Sequence, residues 1–136
     1  MDLSRSIAAA ASGLKAQAGR MRVIAENIAN ADSTATTPDS DPYRRRITTF
    51  QSALDRESGG KLVALGRVET DKTDFSERFQ PGHPAADARG YVKYPNVNTA
   101  IETVDLREAQ RSYEANLNVI TNTRRMIQRT LEILRG

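Results

Sequence analysis

Near the start of the chain, apolar residues recur at spacings that alternate between four and three. Leu3, Ile7, Ala10, Leu14, Gln17, Met21, Ile24, Ile28 and Ala31 form one unbroken row, and Gln17 is its only polar member. Ile7, Leu14, Met21 and Ile28 stand seven apart, the period that keeps one helical face turned toward a partner helix. The row predicts a single helix over residues 3–30, roughly 40 Å long. A second row fills the C-terminal end, where Leu106, Tyr113, Ile120, Ile127 and Leu134 are again seven apart and Gln110, Leu117, Arg124 and Leu131 interleave. It predicts a helix from Ile101 to the end of the chain. The polar members Gln17, Gln110 and Arg124 either fix register and partner at a cost in stability or reach with their tips to a wet edge. Glu102, Asp105 and Glu108 open this helix and Arg124, Arg125, Arg129 and Arg135 close it, an order that complements the helix dipole.

Between the two rows the period changes. Residues 32–42 (DSTATTPDSDP) are Ser, Thr, Asp and Pro with one Ala, which predicts a flexible loop. Residues 43–50 and 61–70 are rich in β-branched and alternating positions and predict two short strands, with a third at 75–79 and a fourth at 90–94. Pro81, Gly82, Pro84 and Pro95 mark turns around them. The predicted fold class is mainly α with a small β insertion. Two long terminal helices form a coiled-coil-like bundle and enclose a short, irregular, β-rich middle segment. The predicted organisation is an N-terminal helix within 1–31, a loop and β-rich segment over 32–97, and a C-terminal helix within 98–136, together one assembly subunit.

Composition sharpens this into a reason for assembly. Ile, Leu, Val and Phe together supply 27 of 136 residues, there is no Trp, and no aromatic residue precedes Tyr43. A chain so poor in bulky anchors buries little core by itself and gains stability by joining neighbours. Within the first helix, Ala8 to Ala11, Ser12, Gly13, Ala16, Ala18 and Gly19 put small residues on faces outside the row. Each helical Gly costs about 1 kcal/mol relative to Ala. The expectation is close approach by several neighbouring helices rather than an Ala-rich surface.

Candidate chemistry is sparse. The chain has no Cys and one His, which leaves no thiol nucleophile or disulfide and no basis for a structural metal site. His83 and Asp87 lie four apart in a Pro- and Gly-framed loop and could be imagined as a base and its orienting carboxylate. A general base needs a dry pocket, and the bulky residues to build one are missing. No catalytic residue, metal ligand, cofactor or small-molecule substrate is therefore expected. The net charge is +3, with 16 of the 20 basic residues Arg, a residue favoured at interfaces. Arg44, Arg45 and Arg46 form the densest basic cluster. It suits a solvated strand face or a salt-bridge surface between subunits better than nucleic acid, which normally calls for more charge and aromatic platforms. A basic helical adaptor for nucleic acid or an anionic membrane is the alternative function. No long apolar run is present, so neither a cleaved secretory leader nor a membrane span is expected.

Two motif blocks carry a family resemblance. Asn27, Ile28, Ala29 and Asn30 at the end of the first row resemble the N-terminal signature of flagellar rod, hook and filament-type axial proteins. Many relatives continue with a Pro-Gly-Tyr turn, whereas here Asp32 and Ser33 lead into a Thr-rich loop. The block PGHPAADARGYVKYPNVN, containing Pro81, Gly82, His83, Pro84, Asp87, Gly90, Tyr91, Pro95 and Asn96, is similar to the proximal rod proteins of the bacterial flagellar basal body. So are the segments VDLREAQRSYEANLNVI and PYRRR. The resemblance implies a non-catalytic subunit of the proximal rod, whose terminal helices form the inner layer of a tubular stack and whose middle segment forms an outer one. It implies other copies of the chain, neighbouring rod subunits, basal-body ring components and the flagellar type III export apparatus as partners. It also implies a subunit made in the cytoplasm, exported without a cleaved signal and placed in the periplasmic rod.

Overall fold

The structure, a computed structural model, describes residues 2–136. Two long helices carry the chain: α1 (Leu3–Ala29) and α2 (Thr99–Arg135). Six short strands lie between them: β1 (Arg46–Ile47), β2 (Phe50–Leu54), β3 (Lys61–Leu65), β4 (Glu69–Thr70), β5 (Ser76–Phe79) and β6 (Tyr91–Tyr94). The helix boundaries agree with the apolar rows, and the fold class is the one the pattern predicts.

Capping residues set the helix ends. Asp2 Oδ1 accepts from the backbone N–H of Ser4 at 3.0 Å, and Asn98 Oδ1 accepts from Ala100 N–H at 3.1 Å, satisfying donors that have no partner within each helix. At the end of α1, Asn30 Nδ2 donates to the carbonyl of Glu26 at 2.8 Å. Asn30 Oδ1 then accepts from Ser33 Oγ, drawing the chain out of the helix.

The strands form three two-stranded antiparallel pairs, β1 with β4, β2 with β3 and β5 with β6. Their registers bring Arg46 opposite Thr70, Phe50 opposite Leu65 and Phe79 opposite Tyr91. Both of the longer predicted strands are split. Residues 43–50 supply β1 and only the first residue of β2, which runs on to Leu54, and residues 61–70 supply β3 and β4. The break falls where Gly66 N–H turns to the carbonyl of Thr49 at 2.6 Å. A Cβ on Gly66 would stand 2.7 Å from Thr49 Oγ1, so the approach requires Gly. The loop predicted over 32–42 contains turns and is closed by Tyr43 N–H donating to Ser33 C=O at 3.2 Å.

The chain divides into two compact units, each drawing on both helices. The first comprises 1–21, 49–67 and 107–136, and the second 22–48 and 68–106. In the first unit α1 and α2 run antiparallel. A Cβ on Gly13 would lie 2.8 Å from Asn116 Nδ2, and Arg20 pairs with Glu108 at 3.6 Å. The hairpin β2–β3 also lies on α1, with Val63 N–H donating to Ser12 Oγ at 3.1 Å and Leu65 Cδ2 2.7 Å from where a Cβ on Gly19 would be. The small-residue faces therefore admit a helix and a hairpin of the same chain. In the second unit, Ala85, Val92 and Tyr94 form a small buried cluster with Ala35 and Ala86 packed against it. The alternating burial of β6 creates it, since Val92 and Tyr94 point inward while Tyr91 and Lys93 face out.

Candidate functional site

A polar centre in the second unit joins three segments that are far apart in sequence. Asn27, the first residue of the Asn-Ile-Ala-Asn motif, is 1% exposed. Its Nδ2 donates to the carbonyl of Arg46 at 2.9 Å and to Glu102 Oε2 at 3.3 Å. Its Oδ1 accepts from Tyr43 Oη–H at 2.8 Å and from Arg46 N–H at 3.0 Å. An Asn side chain has two donors and two acceptor positions, and all four are used. One residue of α1 thus fixes the chain entering β1 and the first turn of α2.

Glu102, also 1% exposed, would be costly as a lone buried charge. The Arg45 Nε–H donates to Glu102 Oε1, and the rest of the guanidinium reaches Asp71 at 3.3 Å and Asp105 at 3.9 Å. The Glu102 hydrogen bond is the chief reason the guanidinium holds its proton still more firmly than usual. The backbone N–H of Thr73 keeps the Asp71 carboxyl below the ordinary carboxylate range, with smaller help from Arg45. Burial pushes the Tyr43 hydroxyl up, keeping it a donor. Asn96 closes the arrangement: its Oδ1 accepts from Arg45 N–H at 2.8 Å, and its Nδ2 donates to Asp71 C=O at 3.1 Å and to Thr73 Oγ1 at 3.0 Å.

The basic cluster is therefore not one solvated strand face. Arg45 is turned inward among three carboxylates, and Arg44 lies over the Phe75 ring at 4.1 Å while donating to the carbonyls of Asp71 and Thr73. Only Arg46 stays at the surface, 3.5 Å from Glu26. These contacts lie within the chain because opposite charges and a ring converge on the cluster from the loop after β4, from α2 and from α1.

His83 and Asp87 do not pair with each other. Ala85 N–H donates to His83 Nδ1 at 3.0 Å, and His83 Nε2 lies 3.3 Å from Thr34 Oγ1. Asp87 Oδ1 accepts from the N–H groups of Arg89 and Tyr91, both at 2.9 Å. These bonds, the Tyr91 N–H first, hold its carboxyl below the usual range, as expected of a turn residue. Gly90, buried at φ +86°, completes the turn next to Phe79. In the same motif Pro95 is buried, whereas Pro81, Gly82 and Pro84 face solvent. Among the described residues no group of acidic, His or Cys side chains is arranged to hold a metal.

The two apolar rows fare differently. Every member of the α1 row, Leu3, Ile7, Ala10, Leu14, Gln17, Met21, Ile24 and Ile28, is buried or half-buried, although Gln17 Oε1 is buried without a hydrogen-bond partner. Ala29 faces solvent and Asn30 is half-buried. The row beside it, Gly13, Ala16, Arg20, Val23 and Asn27, is covered as well. In α2 the row is covered only in part. Leu106, Tyr113, Ile120 and Ile127 are half-buried, but Gln110, Leu117, Arg124, Leu131 and Leu134 are exposed. The face turned into the chain is completed instead by Glu102, Ala109, Asn116 and Thr123, spaced by seven and small or polar. Such residues permit close approach to Gly13 and bonding to Asn27, which bulky side chains would prevent. Seven-residue spacing was the available signal for this second row, hidden because its members are not apolar.

Comparison with known proteins places the whole chain. The pattern of the family described as "Flagella basal body rod protein" matches residues 7–35. That described as "Flagellar basal body rod FlgEFG protein C-terminal" matches residues 88–133. The chain is 50% identical to flagellar basal-body rod protein FlgC of Agrobacterium fabrum, over 98% of this chain and 96% of that one. It is 42% identical to the protein of the same name from Yersinia enterocolitica, over 98% of each chain. Against its namesake from Aquifex aeolicus the figure is 35%, over 97% of each.

Proposed function

The chain belongs to the FlgC family of flagellar basal-body rod proteins, and from that premise we propose that it builds the proximal rod through a helix face its own fold leaves uncovered. It is a structural subunit. The observation that carries the proposal is the exposure of Leu117, Leu131 and Leu134 on a heptad row whose counterpart in α1 is covered throughout. An apolar row of that period is a surface for another helix. Other copies of the chain, neighbouring rod subunits and ring components supply it, and the terminal helices form the inner layer of a tube that transmits torque, with the middle segment outside.

In this reading the protein performs no catalysis and binds no small molecule. It is made in the cytoplasm, passes the flagellar type III export apparatus as an unfolded chain without a cleaved signal, and assembles in the periplasm. Fixing the backbone costs about 1–2 kcal/mol per residue, and buried hydrophobic residues are few, so helix order is completed on assembly. The adaptor alternative loses support because Arg44 and Arg45 are engaged inside the chain. Weak binding to duplex DNA and to anionic vesicles in a salt titration is expected; tight, steeply salt-dependent binding would revive it.

Two experiments bear on the main proposal. Circular dichroism of the dilute monomer is expected to show incomplete helicity, and full helicity with a sharp cooperative melt counts against ordering on assembly. Ile28→Asp and Ile120→Asp should block incorporation into rods while export continues, because a charge in a packed seam is costly. Normal swimming of such strains would sink the proposal.

A further inference from the structure

The turn that carries His83 takes no part in the Asn27 centre, and it holds the only imidazole in the chain. Backbone bonds shape it: His83 N–H donates to Gln80 C=O at 3.0 Å, Ala86 N–H to His83 C=O at 3.0 Å, and Asp87 N–H to Tyr91 C=O at 2.9 Å. The N–H of Ala85 stays outside this ladder and finds its acceptor in the ring, at His83 Nδ1. Ala85 is buried in the small apolar cluster with Val92 and Tyr94. Leaving its N–H without an acceptor there is costly.

That bond decides where the ring carries its proton. A ring nitrogen that accepts from an N–H has no proton of its own, so the proton of the neutral imidazole sits on Nε2. Nε2–H then donates to Thr34 Oγ1 at 3.3 Å, 49 residues away in sequence. Thr34 belongs to the loop that Tyr43 N–H closes on Ser33 C=O, and its neighbour Ala35 packs on the Ala85 cluster. One ring thus ties the 32–42 loop to the turn between β5 and β6. A second proton would have to enter at Nδ1, where it would point at the N–H of Ala85. The ring would then swing away from Ala85 and lose Thr34 with it.

The charges on the surrounding segments are committed elsewhere. Asp32 pairs with Arg78 at 3.5 Å, Asp41 with Lys93 at 3.9 Å and Asp87 with Arg89 at 3.5 Å, while Asp39 and Glu77 are exposed. Among the described residues none of these carboxylates forms an ion pair with the imidazole. We propose that neutral His83 is a pH-sensitive clasp, which holds the 32–42 loop against the β5–β6 turn and releases it when the ring is protonated. The closed clasp favours the neutral ring. Its contribution is therefore complete in mild alkali and is lost as pH falls through the range in which imidazoles take up a proton, about pH 8 to 5. The Asp71 carboxyl titrates below its ordinary value and acts in a lower window.

Amide exchange followed by NMR tests this on the full-length protein at about pH 7.5 and about pH 5.5, with each rate divided by that of the unstructured chain at the same pH. In the wild type, protection of the Ala85 and Tyr43 N–H groups should fall at least about tenfold from the higher pH to the lower. His83→Asn offers Ala85 an acceptor that takes up no proton, and its protection should change less than about twofold. His83→Gln reaches toward Thr34 without an acceptor at the Nδ1 position, and should leave Ala85 unprotected at both. Equal losses in the wild type and His83→Asn, no protection of Ala85 in the wild type at the higher pH, or protection that holds at the lower one would each overturn the proposal. The nitrogen chemical shifts of the ring give a reading that needs no variant. They should place the proton on Nε2 at the higher pH, and ring protonation should coincide with the loss at Ala85. A proton on Nδ1 alone, or a protonated ring with Ala85 still protected, refutes the clasp.

Discussion

α1 and the far end of α2 carry the same kind of sequence and meet opposite fates. Both repeat large apolar residues on a seven-residue period, yet Ile24 is 6% exposed and Leu134 77%. The difference is one of supply. α1 has α2, the hairpin β2–β3 and the Asn27 centre to cover it, while among the described residues none covers the last turns of α2. Periodicity therefore states that a face is to be covered and is silent on which molecule covers it.

The most severe test of this contrast puts one substitution at both places. Ile24→Asp should cost about 4 kcal/mol by burying an unpaired carboxylate, whereas Leu134→Asp should stay within about 0.5 kcal/mol and impair only assembly. Urea unfolding of the part of the monomer that is ordered before assembly measures both, and equal losses would break the comparison. Next in size, Asn27→Leu removes four hydrogen bonds and takes the Asn27 partner from Glu102 Oε2, the Tyr43 hydroxyl and the Arg46 backbone. A loss of about 3 kcal/mol is expected, with Glu102→Gln less harmful because the pocket stays polar. If Asn27→Leu matches wild type in its denaturation midpoint, the centre has no role in holding the unit together.

Smaller effects sharpen the contrast within the second unit. Gly90→Ala should destabilise by about 1–2 kcal/mol, since a side chain at φ +86° is strained and its Cβ would meet Phe79 at 2.9 Å. The β5–β6 amide protons should then exchange faster while those of the α2 end do not change. Acid provides the gentlest probe. The Asp71 carboxyl titrates below its unfolded value, so its stabilising effect is complete above the unfolded value and lost as pH falls through the folded one, below about pH 4. Asp71→Asn should flatten that part of the stability profile, and an unaltered acid limb would remove Asp71 from the account.

Much of this was legible in the residues. The rows from Leu3 to Ile28 and from Leu106 to Leu134 gave both helices nearly to their ends, because burial of one helical face imposes a period that survives in sequence. The motif Asn27–Asn30 read only as a family signature, and the polar centre that Asn27 joins came from the fold. Glu102 read as a complement to the helix dipole and Arg45 as one of three like charges. Their pairing stayed invisible because 57 residues separate them, and the fold alone brings them together.

By itself, then, the sequence determined two seven-residue apolar rows, their helices, a β-rich middle and the absence of Cys. Those are local properties, set by period, propensity and residue chemistry. Only the tertiary structure decided that Arg45 turns inward to Glu102, that small and polar residues complete the covered side of α2, and that Leu131 and Leu134 remain open. Each of these depends on which distant segment arrives opposite a side chain, and on a ten-residue difference in helix length whose consequence appears only when the two helices lie side by side.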